Sequence, residues 1–294
     1  MAWKVVLTDP GVHPPDETTM AILHECDAIL ESKVCAAEEE LIRFCAKADA
    51  VVCARAPISK QVIQAMAHCR IIVRMGTGYD NIDVVAAGEA GIPVANVPEF
   101  CVNEVADHTM ALMLACCRKL VALDREVRSG VWDPLSVMPA WSLTKKVLGL
   151  VGFGKIGKAV AHRALAFGMR VAFFDPAYHE SPDSRIQVSS SLEELLKMAD
   201  IVSLHLPLTE QTRGMIGTGE LQRMKRTAVL INCARGAIVV EENLAAALRD
   251  GVIAAAGLDT LVSEPPARDN PLFRLPNVIL TPHCAAHTVE ALAD

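Results

Sequence analysis

The 294-residue chain has no excess of positive charge: 28 Lys and Arg stand against 35 Asp and Glu, a formal net charge of −7. That balance argues against a nucleic-acid or anionic-membrane surface, while leaving room for a local basic pocket that holds a small anion. No apolar run reaches the length of a membrane span. The first residues, "MAWKVVLTDP", enter a strand-like run almost at once, with no signal peptide in view. Ten cysteines are present without a C-x-x-C pair or a zinc-like spacing. They read as reduced, mostly buried thiols in a cytoplasmic setting, and no metal is expected. No internal repeat or low-complexity tract is evident.

An apolar fraction of 52% and a charged fraction of 21% are those of a globular protein, at a length that accommodates two ordinary domains. Short β-rich runs alternate with helical patterns, which predicts parallel sheets with crossover helices. In the first third the strand candidates are 4–9, 27–32, 49–55, 70–76 and 92–98, enough for a complete small doubly wound domain. A long apolar helix is predicted over 102–120, apolar around more of its circumference than one core contact requires. The segment 128–146, with Gly, Pro and Trp and no clear period, reads as an extended loop. Six further strand candidates follow, at "KVLGLVGF", "RVAFFD", "DIVSLHL", "TAVLINC", "AAAGLDT" and "NVILTPH", the count of a full Rossmann sheet.

The first of these runs enters "GFGKIG", a G-x-G-x-x-G with a strand before it and a helix after it. In that context Gly152 permits the tight turn, Gly154 the close approach of a pyrophosphate, and Gly157 the packing of helix on strand. The helix N-terminus then offers free N–H groups to the phosphates. Asp175 ends the next strand, where a carboxylate accepts hydrogen bonds from the ribose hydroxyls and repels a 2′-phosphate, favouring NAD over NADP.

Downstream, polar residues stand where strands end: Arg235 after the fourth, Asp259 after the fifth with Glu264 in its loop, and His283 after the sixth. The carboxyl ends of the strands border the ligand crevice of an open α/β sheet. A guanidinium binds a carboxylate as a fork, an imidazolium gives up a proton, and a carboxylate beside it favours its charged form. That is the equipment of 2-keto acid reduction. His205, at another strand end, is a candidate for the cofactor pocket, His108 reads as helix packing, and His287 is expected to matter less than His283.

The motifs "RMGTGYDNID", "NVPEFCVNEVADHT", "VGFGKIG", "HLPLTEQTRGMIG", "INCARG", "LDTLVSEPP" and "TPHCAAH" span nearly the whole chain. Together they resemble the D-isomer-specific 2-hydroxyacid dehydrogenase family, its phosphoglycerate dehydrogenase and C-terminal-binding-protein branch. The resemblance implies a flavodoxin-like substrate domain (1–98 with 288–294) and a Rossmann NAD-binding domain (99–287), with the active site in the cleft between them. It implies Arg235 as binder of the substrate carboxylate, His283 as acid and base, and Glu264 as its orienting partner. Backbone N–H groups of Gly76, Thr77 and Gly78 would bind the substrate carboxylate. Asp259 would bind the nicotinamide carboxamide, and Thr109, Lys155, Ile156, His205, Pro207, Thr212 and Cys233 would complete the NAD contacts. The expected activity is interconversion of a small 2-keto acid and its D-2-hydroxy acid in a homodimer joined through the NAD-binding domain, with Trp141 and Met138 near the partner.

Two departures from the family qualify this. The chain ends at "HTVEALAD", where family members usually continue with a helix that crosses back, which implies a truncated form or a differently closed substrate domain. Asp133 and Pro134 stand where a phosphate-binding cation is expected, which disfavours a phosphorylated substrate despite Arg55. The corepressor relatives suggest an alternative, an NAD(H)-sensing binding module, but they carry a tryptophan where this chain has Ala286.

Overall fold

The β-branched runs of the first hundred residues form five strands, β1 (Trp3–Leu7), β2 (Ala28–Ser32), β3 (Ala50–Cys53), β4 (Ile71–Arg74) and β5 (Val94–Asn96). Helices α1 (Glu17–Glu25), α2 (Glu38–Cys45), α3 (Lys60–Ala65) and α4 (Val84–Glu89) connect them in turn. Three of these helices start at an N-cap: the side chains of Asp16, Ser59 and Asp83 accept from the N–H of Thr19, Val62 and Ala86. All pairings are parallel and the strand order is β2-β1-β3-β4-β5, the flavodoxin-like order. Val6, Val51 and Ile72 are fully buried, in a core that includes Leu41, Val62 and Ala87 from the helices.

The computed structural model describes residues 2–11 and 14–293. The chain divides into two compact units, Met1–Phe100 with Leu292–Asp294, and Cys101–Ala291. The second unit begins with α5 (Val102–Arg118), which ends where Lys119 takes a left-handed conformation, φ 59°, and α6 (Leu120–Arg128) begins directly after it. The helix expected over 102–120 is α5, and α6 adds a second, amphipathic helix directly after it. Residues 129–146 contain neither helix nor strand. The sheet is built by β6 (Val147–Val151), β7 (Arg170–Phe174), β8 (Ile186–Val188), β9 (Ile201–Leu204), β10 (Val229–Asn232), β11 (Ala255–Leu258) and β12 (Val278–Leu280). Its helices are α7 (Lys155–Ala166), α8 (Leu192–Met198), α9 (Thr218–Arg223), α10 (Glu241–Arg249) and α11 (Val289–Ala293).

The order β12-β11-β10-β9-β6-β7-β8 is all parallel. It is the Rossmann order 3-2-1-4-5-6 extended by one strand, seven where the sequence suggested six. The missed strand is β8, whose three residues are too short to show a period, and its insertion makes β12 the seventh strand. Every residue of β6, β9, β10 and β11 is buried, as expected for parallel strands covered on both faces. Helix α5 packs against α7 and across β10, β11 and β12. Its tight seat is visible at Gly257, where a Cβ would come 3.1 Å from Leu112 Cβ and 3.3 Å from Cys116 Sγ. The apolar circumference of α5 is thus used inside its own unit. The exposed apolar side chains of this region lie on α6 and the following loop: Leu120, Val127, Trp132, Leu135 and Met138.

Candidate active site

The glycine-rich turn after β6 is shaped by two contacts and one open position. Gly152 has φ 93°, and a Cβ there would sit 2.4 Å from the His205 carbonyl oxygen. A Cβ on Gly157 would fall 2.5 Å from the Gly152 carbonyl oxygen, so α7 rests on the turn itself. At Gly154 a Cβ would meet nothing within 4 Å. Two glycines are required by the protein's own backbone, and the third borders open space that a ligand's phosphates can enter. Gly154 is also the N-cap of α7 and has no side chain to satisfy the first N–H groups, those of Lys155, Ile156 and Gly157. Such groups at the positive end of a helix suit an anion.

Asp175 follows β7 and ties it to this turn. Its Oδ2 accepts from the Phe153 N–H at 2.8 Å and its Oδ1 from the Ala177 N–H at 2.9 Å. A carboxylate has about four acceptor positions, so these bonds leave it able to take further donors. His205 follows β9, the strand on the other side of β6, where the order of the sheet reverses. Its Nε2 lies 2.9 Å from Ser203 Oγ, and burial pushes its pKa down to about 4, which keeps the ring neutral. In the next loop Thr212 Oγ1 donates to the Pro207 carbonyl at 2.6 Å and holds the loop in shape.

The ends of β10, β11 and β12 hold the remaining polar groups. After β10, Asn232 clamps its own turn: its Oδ1 accepts from the Ala234 N–H and its Nδ2 donates to the Arg235 carbonyl. Arg235 Nη1 donates to the Ala234 carbonyl at 2.9 Å. The neighbouring Gly236 lies so close to the loop after β11 that a Cβ would be 2.0 Å from the Leu261 carbonyl carbon. In that loop Glu264 Oε1 accepts from the Leu261 N–H at 3.1 Å, and its Oε2 lies 2.6 Å from His283 Nδ1. The arrangement leaves His283 Nε2 as the nitrogen that can address a substrate.

His283 has φ 53°, a left-handed conformation uncommon outside glycine. Asp259 holds it there. The His283 N–H donates to the Asp259 carbonyl at 2.7 Å, and the Asp259 carboxylate accepts from Thr281 Oγ1, Cys284 N–H and Ala285 N–H at 2.6, 3.0 and 2.9 Å. Only 1% of Asp259 is exposed. Burial works to raise its pKa, but these hydrogen bonds outweigh it and hold the carboxyl below its ordinary value.

Residues 110–285 match the family described as D-isomer specific 2-hydroxyacid dehydrogenase, NAD binding domain. The chain belongs to this family. It is 44% identical over 239 residues to the glyoxylate reductase of Korarchaeum cryptofilum, covering 80% of this chain and 72% of that one. It is 40% identical to the D-3-phosphoglycerate dehydrogenase of Methanocaldococcus jannaschii over 98% of its own length, and spans 54% of that relative. The solved structure of D-lactate dehydrogenase from Aquifex aeolicus, in complex with NAD and lactic acid, superposes with a TM-score of 0.87 at 28% identity, over 99% of this chain and 91% of that one.

In this member of the dehydrogenase family the other residues singled out from the sequence have more modest surroundings. Thr109 is buried in α5 and its hydroxyl donates back to the Val105 carbonyl at 2.7 Å. Burial pushes the Cys233 thiol up to about 12, so it is uncharged. His287 is exposed. The turn at Gly76, Thr77 and Gly78 belongs to the first unit, where Gly76 has φ 140° and Asn96 Nδ2 donates to the Thr77 carbonyl at 2.7 Å. Sequence reasoning missed the part of His108. Its Nε2 lies 3.0 Å from Thr281 Oγ1 and 3.5 Å from Asp259 Oδ1, so it belongs to the polar group behind the His283 turn. Nothing local marks it: it is one polar residue on an apolar helix, and only the seating of α5 on β11 and β12 brings it there.

Proposed function

We propose that the protein reduces a small 2-keto acid to the D-2-hydroxy acid, and catalyses the reverse, with NAD as the redox partner. The observation that carries this reading is the 2.6 Å contact of Glu264 with His283 Nδ1, on a turn whose backbone Asp259 constrains. An imidazole held by a carboxylate at one nitrogen and open at the other is a general acid and base. A binding module has no need of one, which favours an enzyme over an NAD(H)-sensing corepressor-like role.

The open position at Gly154 and the uncapped start of α7 fit the pyrophosphate, with Lys155, Ile156 and Gly157 supplying N–H groups. Asp175 would accept from the adenosine ribose hydroxyls, which favours NAD over NADP. His205, Pro207, Thr212, Cys233 and Thr109 would line the rest, and Asp259 would take the carboxamide N–H on Oδ2, which otherwise accepts from Ala285. Bound there, reduced nicotinamide supplies a hydride. Arg235 holds the substrate carboxylate as a fork. His283 gives its Nε2 proton to the carbonyl oxygen as C2 is reduced, and Glu264 stabilises the imidazolium before that step. In the oxidative direction neutral His283 takes the hydroxyl proton, so oxidation prefers a higher pH than reduction.

We further propose a homodimer through the second unit, supported by the exposed apolar side chains of α6 and the loop after it, where Trp132 is 88% exposed. A cytoplasmic setting is supported by ten cysteines that are all free. Among the described residues no helix is long and apolar enough to cross a membrane.

The test is an assay that follows NADH while glyoxylate, hydroxypyruvate, pyruvate and longer 2-keto acids are supplied, with NADPH and His283→Ala as controls. Turnover with NADH that disappears in the variant is the expected result. NADH binding without turnover of any 2-keto acid would transfer the argument to the sensing role.

A further inference from the structure

Behind the turn that carries His283, three side chains of different chemistry converge: the His108 imidazole, the Asp259 carboxylate and the Cys284 thiol. One ligand atom from each lies within 4.8 Å of the other two, and among the described residues no other trio of His, Cys, Asp or Glu meets this condition. We propose that His108, Asp259 and Cys284 bind a thiophilic divalent cation such as Zn²⁺, and that its binding inhibits the enzyme by taking the lone pairs with which Asp259 supports the His283 turn. The second half rests on the catalytic reading above; the first does not.

The donor set is the one zinc takes: an imidazole nitrogen, a thiolate and a carboxylate oxygen. The spacing agrees with it. A tetrahedral ion with metal–ligand distances of about 2.0–2.3 Å separates its ligand atoms by roughly 3.3–3.8 Å. Asp259 Oδ1 lies 3.5 Å from His108 Nε2 and 3.7 Å from Cys284 Sγ. Two edges of the tetrahedron thus already have their length, and rotation of the histidine or cysteine side chain closes the third. Charge points the same way. The Asp259 carboxylate is almost wholly buried, and its hydrogen bonds come from a hydroxyl, a thiol and two backbone N–H groups, with the His108 imidazole 3.5 Å away as its one cationic partner when protonated. A divalent ion compensates that charge directly, and the Cys284 thiol releases its proton to solvent as the metal–sulfur bond forms.

The consequence follows from what Asp259 already holds. Its carboxylate accepts from the N–H groups of Cys284 and Ala285, which directly follow His283. A cation on Oδ1 competes for the lone pairs that now accept from Thr281 Oγ1 and the Cys284 N–H, and the strained backbone at His283 loses its support. The ion is therefore an inhibitor, not a resident cofactor. Its ligands come from three distant parts of the chain, so no metal-like spacing announces them.

The experiment uses the full chain freed of metal with a chelator and titrated with Co²⁺ as a spectroscopic probe. The expected result is one equivalent per chain, with a thiolate-to-cobalt charge-transfer band that Zn²⁺ displaces. Cys284→Ser, which keeps the other nine cysteines, should lose the band, and His108→Gln should retain it at weaker affinity. A band that persists unchanged in both variants, or no binding in the wild-type chain, overturns the site. In the NADH assay, Zn²⁺ should depress wild-type turnover and chelator should restore it. Full turnover with one Zn²⁺ bound overturns the inhibition alone. An enzyme without any turnover, yet with the cobalt band, would refute the catalytic reading and leave the site standing.

Discussion

Two acid–histidine pairs lie in the second unit, their acids a few residues apart after β11, and they are built to opposite plans. In the pair of His283 and Glu264 both side chains are about a third exposed, 34% and 29%, and they meet directly at 2.6 Å. In the pair of His108 and Asp259 the exposures are 22% and 1%, the separation is 3.5 Å, and Thr281 stands between them, 3.0 Å from one and 2.6 Å from the other. A proton can enter and leave the first pair, because solvent reaches it. The second is a scaffold, whose acid is committed to holding a backbone. The same two residue types are thus suited to chemistry or to architecture according to exposure and the number of hydrogen bonds already made.

The largest expected effect breaks the first pair. His283→Ala should lower turnover of a 2-keto acid by about 10²–10⁴-fold, the contribution of a positioned general acid, with unfolding by urea nearly unchanged. A stability loss that matched the activity loss would make His283 structural.

Breaking the second pair should cost stability as well as turnover. Asp259→Ala strands one hydroxyl and two backbone N–H donors and should cost about 3 kcal/mol of stability, read from urea unfolding. Because its carboxyl is held below the ordinary value of 3.8, the contribution is present above that pH and is lost as the pH falls below it. An unchanged midpoint would show that the carboxylate does not support the turn.

His205, hydrogen-bonded to a serine and not to an acid, sharpens the contrast. Its folded pKa of about 4 lies below the ordinary 6.5, so the unfolded chain takes up a proton first as the pH falls. Stability should decline between those two values by at most about 3 kcal/mol, and His205→Gln should flatten that decline. A wild-type midpoint constant across the interval would contradict a neutral, desolvated ring.

Two smaller effects complete the series. Glu264→Gln keeps a hydrogen-bond acceptor but removes the charge, and should lower turnover about tenfold. Thr281→Val should cost about 1 kcal/mol, since it cuts the bridge without disturbing its shape. If Thr281→Val proved as harmful to turnover as Glu264→Gln, the division into a chemical and a structural pair would fail.

Much of this was legible before any coordinates. Parallel strands buried on both faces are continuous apolar runs, so β6, β7 and β9–β12 stand out in the chain, and glycines that a tight turn requires mark the nucleotide site. The Arg, Glu and His that end successive strands declare a chemistry, because few other reactions want those groups together. What escaped was set by neighbours distant in sequence. The three-residue β8 exists because β7 offers it an edge. Helix α6 follows α5 directly because Lys119 turns left-handed, which composition does not foretell. His108 reads as packing until α5 is laid across β10–β12, and the hold of Asp259 on the His283 turn stays hidden until Thr281, Cys284 and Ala285 are seen to donate to it. The sequence by itself determined the kinds of element, their order and the reactive groups, since periodicity and residue chemistry are local properties. Only the tertiary structure decided which acid serves which histidine, because exposure and the hydrogen bonds already committed depend on what the fold brings alongside.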